Sequence, residues 1–192
     1  MKRPKPFRQF RTPGQRGFIS VVGLLFLFSI TMLAIAMYRS GGLQERMSGN
    51  LREKARAFEA AQSALQYGEW WLSQSNRGTG TACTGVLNAN NLAQMQVCSN
   101  ALASVTSLPW SARADYLPPS MSVAAGGGLA AGGDINYVAM PSLYISYLGL
   151  SSDGLSLLYR VSAVGYGGSS STAAVLQSTY KLSSGVKDLG GQ

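Results

Sequence analysis

The 192-residue chain has no histidine and only two cysteines, Cys83 and Cys98. Without an imidazole, Ser-His and Cys-His nucleophile pairs are excluded. The cysteine spacing is not that of a zinc knuckle, and no metal or cofactor is called for. Acid is scarce, with eight Asp and Glu against sixteen Lys and Arg. Glu45, Glu53, Glu59 and Glu69 all fall in one stretch, while Asp115, Asp134, Asp153 and Asp188 are scattered without a motif. That distribution argues against paired-carboxylate chemistry. Proline is absent between Pro13 and Pro109, which permits one very long helix.

What is present is concentrated at the start. Lys2, Arg3, Lys5, Arg8, Arg11 and Arg16 precede Phe18 with no acid among them. Ten basic and eight acidic residues follow, so the rest of the chain is nearly neutral. A nucleic-acid surface needs Lys and Arg clustered on a folded domain, and none is seen. The leader charge instead orients an apolar run from Phe18 to Tyr38 with its N-terminal side cytoplasmic. That run is long enough to cross a hydrocarbon core of about 30 Å. Arg16 and Arg39 flank it, and Ser29 and Thr31 interrupt it; their hydroxyls are expected to bond back to the helix or face a partner helix. A cleaved secretory signal is the alternative. Ala34-Ile35-Ala36 weakly mimics its cleavage site, but the apolar stretch is too long. Residues after Arg39 are placed outside the membrane, in a periplasm for a Gram-negative source. In that oxidising compartment Cys83 and Cys98 read as one disulfide closing a loop of about 15 residues, against a reading as two buried thiols.

Beyond the apolar run, Leu43, Met47, Leu51, Ala55, Phe58, Ala61, Leu65 and Leu72 recur with helical period. They are expected to face a sheet. A helix over 18–72 is on the order of 80 Å long, at 1.5 Å per residue. Residues 73–134 are rich in Ser, Asn, Gly and Ala and read as irregular, with a short helix around Asn91–Val97. Strands are expected at about 136–149, 155–166 and 172–183, the last two joined by a hairpin at 167–171. The fold class is α+β: a long N-terminal helix packed on a C-terminal antiparallel sheet.

Two motif matches fail on context. Ser178-Thr179-Tyr180-Lys181 fits S-x-x-K, but a strand puts Ser178 and Lys181 on opposite faces, and the companion motifs are missing. Gly126 to Ala131 fits G-x-G-x-x-A, but Gly132-Gly133 cannot continue a helix. Assembly is the other function class. A chain whose longest element is part membrane span and part domain spine is built to pack beside similar chains.

A basic leader, Gly17 directly before Phe18, an apolar run and then an amphipathic helix together resemble a type IV prepilin. "LQERMSGNLREKARAFEAAQSAL" (43–65) and "YRVSAVGYGG…VLQSTYKL" (159–182) are similar to the PilX subfamily of minor pilins. No family is apparent for about 73–140. The resemblance implies a pilin-like fold, cleavage of the leader 1–17 after Gly17 by a prepilin peptidase, and N-methylation of Phe18. It implies assembly with other minor pilins, the major pilin, a large tip adhesin and the inner-membrane assembly platform. The protein would pass from the inner membrane to the pilus, at its tip or in a priming complex, and would not be an enzyme. Most pilins have glutamate five residues after the cut; here that position is Val22, a departure that suits the PilX subfamily. The alternatives are a minor pseudopilin of a type II secretion system and a membrane-anchored periplasmic enzyme or binding protein.

Overall fold

A computed structural model describes residues 16–130 and 135–183. The leader 1–15, Gly132-Gly133, Asp134 and Asp188 lie outside the described residues, as do the side chains of Arg39 and Leu43. One helix, α1 (Arg16–Ser73), is followed by β1 (Val86–Asn88), β2 (Arg113–Asp115), β3 (Ser142–Leu150), β4 (Ser156–Tyr166) and β5 (Ala173–Ser183). The chain divides into two compact units, Met1–Ser48 and Gly49–Gln192.

In the first unit, Gly17–Tyr38 is a 22-residue helical segment of mean hydropathy 2.6, none of it buried. Ser29 Oγ donates to the Leu25 carbonyl and Thr31 Oγ1 to the Phe28 carbonyl, both at 2.8 Å. Their hydroxyls are thereby satisfied within the helix, as an apolar solvent requires.

In the second unit the five strands form one sheet in the order β1-β2-β3-β4-β5. It is antiparallel from β2 to β5, and β1 joins it in parallel. The sheet is therefore mixed rather than antiparallel throughout. Strands β1 and β2 have three residues each, too few to show a sequence period. The pattern read as a strand from 136 starts at Ser142, because Pro141 offers no N–H to a ladder. Residues before it make single rungs instead, Val123 with Tyr137 and Leu129 with Ile135. No helix forms at 91–97. Asn91 and Asn88 side chains accept from backbone N–H groups of Ala93 and Asn90 and hold the chain in turns.

One sheet face packs on α1. Leu143, Ile145, Tyr159, Val161 and Ala163 are buried there with Ala64, Trp71 and Leu72. The approach is close. A Cβ on Gly165 would lie 2.3 Å from both the Ala57 carbonyl oxygen and the Ala61 nitrogen. Only small residues fit such a contact, so Ala57, Ala60, Ala61 and Ala64 form the helix's buried face. The expected leucine-rich stripe is corrected in its first half. Met47, Leu51 and Phe58 are 65%, 62% and 47% exposed, and Ala55 is exposed, whereas Ala61 and Leu72 are buried. The helix ends where Ser75 turns to φ 69° and Asn76 Nδ2 caps the Trp71 carbonyl at 2.8 Å.

The other sheet face is covered by the loop-rich middle. Trp110, Ala112, Cys83 and Cys98 pack on Tyr144 and Val164. Strand β3 is thus buried on both faces over Ser142–Ser146, and its first half shows no clean alternation.

Candidate assembly surfaces

The first described residues carry the positions singled out for processing. The Gly17–Phe18 bond is helical, within α1 as described from Arg16. Among the described residues, nothing lies within 4 Å of a Cβ placed on Gly17. Their packing gives no reason for glycine there, and glycine costs about 1 kcal/mol in a helix. Phe18 is 68% exposed and Val22 half-buried.

In the second unit, two glutamates tie the helix to the sheet. Glu53 Oε2 accepts from the Gly168 N–H at 2.5 Å in the β4–β5 connection. Glu69 Oε1 accepts from Ser178 Oγ of β5 at 2.6 Å. Buried Arg56 donates to the Ile135 carbonyl through Nη2 and lies 4.5 Å from the centre of the Tyr137 ring, holding 135–137 against the helix. Leu51, Ala55 and Phe58 project on the exposed face of the same helical stretch.

Cys83 and Cys98 are joined by a disulfide, with Cα atoms 5.3 Å apart. Cys98 also bonds to β3: its N–H donates to the Ile145 carbonyl at 2.8 Å and its carbonyl accepts from Tyr147 at 2.9 Å. The bridge thus fixes an added rung where the short β2 ends.

The motif residues considered for chemistry are engaged structurally. Ser178 bonds Glu69, while Lys181, on the opposite face, pairs with Asp153 at 3.1 Å. The Leu155 backbone N–H and then the Lys181 ammonium hold the Asp153 carboxyl below its ordinary pKa. A cleft of about 590 Å³ is lined by Arg113, Asp115, Ser142 and Tyr166 among apolar residues. Its charges satisfy each other: Arg113 Nε and Ser142 Oγ each donate to Asp115 Oδ1 at 2.7 Å. Burial raises the Tyr166 phenol's pKa. Among the described residues, no group of three or more His, Cys, Asp or Glu could hold a metal. Gly127 and Gly128 have φ of 64° and 80°, a loop conformation rather than a helix start.

Two family models cover nearly all of this architecture. PilX N-terminal matches residues 16–66, and type IV pilus assembly protein PilX C-term matches residues 67–182. The chain belongs to the PilX family. No curated protein and no solved structure matches it. The PilX match extends through the middle region for which the sequence suggested no family. The two PilX models meet within α1, at Gln66 and Tyr67. Tyr67 stacks on Tyr116 with ring centres 4.2 Å apart and donates to the Ala89 carbonyl at 2.6 Å. That side chain joins the spine to the family's C-terminal part. PilX membership makes the chain a component of type IV pilus assembly, and the apolar helical segment suits a single-pass membrane anchor.

Proposed function

We propose that the protein is a minor pilin acting with other minor pilins in a priming or tip complex of the type IV pilus. It inserts in the inner membrane with its C-terminal part in the periplasm. The prepilin peptidase cuts between Gly17 and Phe18, and Phe18 is N-methylated. Its further partners are the major pilin, a large tip adhesin and the assembly platform; its role is packing rather than catalysis.

The observation that carries this reading is the exposed apolar face of α1 in the second unit. Leu51 and Phe58 remain 62% and 47% exposed although a sheet is packed on the same stretch of helix. Large side chains displayed beside an alanine-faced core contact are suited to neighbouring helices. Val22 supports the end-of-filament placement. In the family's account, glutamate there pairs with a neighbour's N-terminal amine, and valine cannot.

The test is to locate an epitope-tagged chain on pili by immunogold labelling, together with Val22→Glu and Val22→Ala variants. We expect label at pilus ends for the parent and Val22→Ala. Val22→Glu should be cleaved normally but should change pilus number or move label into the shaft. Label along the shaft of the parent, or identical behaviour of the two variants, would count against the tip reading. Loss of protein secretion with pili unchanged would favour the pseudopilin reading.

A further inference from the structure

The two edges of the sheet are treated differently. On one side, β1 is only three residues long. Where β2 ends, the disulfide-held Cys98 segment takes over as partner of β3. On the other side, β5 is an eleven-residue strand paired with β4 without a break from Ala173 to Ser183. Among the described residues, no strand pairs with its outer side.

The direction of the β5 backbone groups follows from the ladder. Gly167 N–H donates to the Thr172 carbonyl at 2.9 Å. In an antiparallel pair, hydrogen-bonded and non-hydrogen-bonded pairs alternate. With the observed pairing, Ala174, Leu176, Ser178 and Tyr180 direct their N–H and C=O groups to β4. Val175, Gln177, Thr179 and Lys181 direct theirs outward.

Exposed edges are ordinarily blunted by shortness, proline, bulges or charge. Strand β5 is long, contains no proline or glycine and keeps an unbroken pairing. Its one charged side chain, Lys181, is drawn back to Asp153 at 3.1 Å, in the chain's own β3–β4 connection. We propose that β5 is a docking edge that accepts an extended segment of a different protein chain as a sixth strand.

The side chains define that segment. On the helix side, Leu176, Tyr180 and Leu182 are half-buried and offer apolar contact. On the other side, Gln177, Thr179 and Lys181 are exposed, and exposed Arg160 of β4 stands opposite Thr179. The matching strand alternates apolar residues toward the helix side with acidic or hydroxyl residues toward Arg160. A second copy of β5 fits poorly. It offers the face that carries Arg160 a lysine and uncharged side chains rather than an acid. The proposal rests on the family's role in pilus assembly and not on placement at the tip.

The experiment uses the full chain in assembling cells, with a benzophenone photo-crosslinking amino acid placed at Gln177 and, separately, at Thr179. We expect cross-links to another pilus-assembly protein, with the partner site moving by two residues between the two positions. Thr179→Pro removes one outward N–H, which an edge strand tolerates. It should reduce the cross-link from position 177 at least tenfold, whereas Thr179→Ala should leave it unchanged. Cross-links only to a second copy, only to residues 184–192 of the same chain, or none in cells that make pili would overturn the proposal. A partner pattern of helical spacing would do the same. Should Thr179→Pro fail to accumulate, the two-residue shift decides alone. Because the readout is contact geometry, a shaft position in the immunogold test leaves it intact.

Discussion

At the scale of single residues, Gly165 shows how little room the fold leaves. Its position opposite Ala57–Ala61 puts β4 against helix backbone, and a methyl group there meets atoms that cannot swing away. Gly165→Ala should destabilise the protein by about 3 kcal/mol, the upper end for overpacking. That corresponds to a fall in Tm of roughly 6–12 °C for a chain of this size. Gly85→Ala is the control, since among the described residues nothing lies within 4 Å of its Cβ, and it should change stability by less than about 0.5 kcal/mol. Thermal melts of the full chain in detergent compare the two. If both variants melt alike, the close helix–sheet approach is wrong.

At the scale of elements, the disulfide and the Cys98 rung act together. Replacing both cysteines with serine should cost about 2–5 kcal/mol, as for loss of a native bridge in a small secreted domain. The loss should be local at first. Backbone amides of Cys98 and Tyr147, bonded across that rung, should exchange with deuterium much faster, while those within β4–β5 keep their protection. Uniformly faster exchange would instead mean that the bridge supports the whole domain. The same elements explain what the sequence could convey. Strands β4 and β5 run for eleven residues each, long enough to be read, and β5 alternates from Leu176 to Ser183. Strands β1 and β2 are set by tertiary pairing over three residues and left no period. The helix was legible as an element but not in its orientation. Leucine and phenylalanine dominate a hydropathy pattern, yet the sheet chose the alanine side because it sits so near. Gly17 and Val22 stood out in the sequence for a related reason. Each departs from what a membrane helix or an ordinary pilin would carry there, and contacts among the described residues do not account for Gly17.

At the scale of the whole molecule, the two family models make the chain a component of type IV pilus assembly, and the processing proposed for it is open to a direct test. Intact mass of the membrane-extracted protein tests processing. It should equal residues from Phe18 onward, plus the one CH2 that N-methylation adds, minus the two hydrogens lost in the disulfide. Gly17→Leu should leave the unprocessed mass in the membrane and reduce piliation at least tenfold, because a branched side chain hinders backbone approach by the peptidase. A mature N-terminus at Ala36 or beyond would mean that a general signal peptidase removes the anchor.

Glu53 and Glu69 are about four helical turns apart, and each holds a different point of the β4–β5 hairpin. Two pins on one rod prevent both sliding and rolling. A slide by one turn would carry both carboxylates past their partners, and because the two leave the helix on different flanks, a roll in either sense would draw at least one of them off its partner. The outward bearing of Leu51 and Phe58 is therefore a fixed angle on the rod. Any neighbouring subunit would meet a key already cut, its fit decided before contact by two hydrogen bonds to the hairpin.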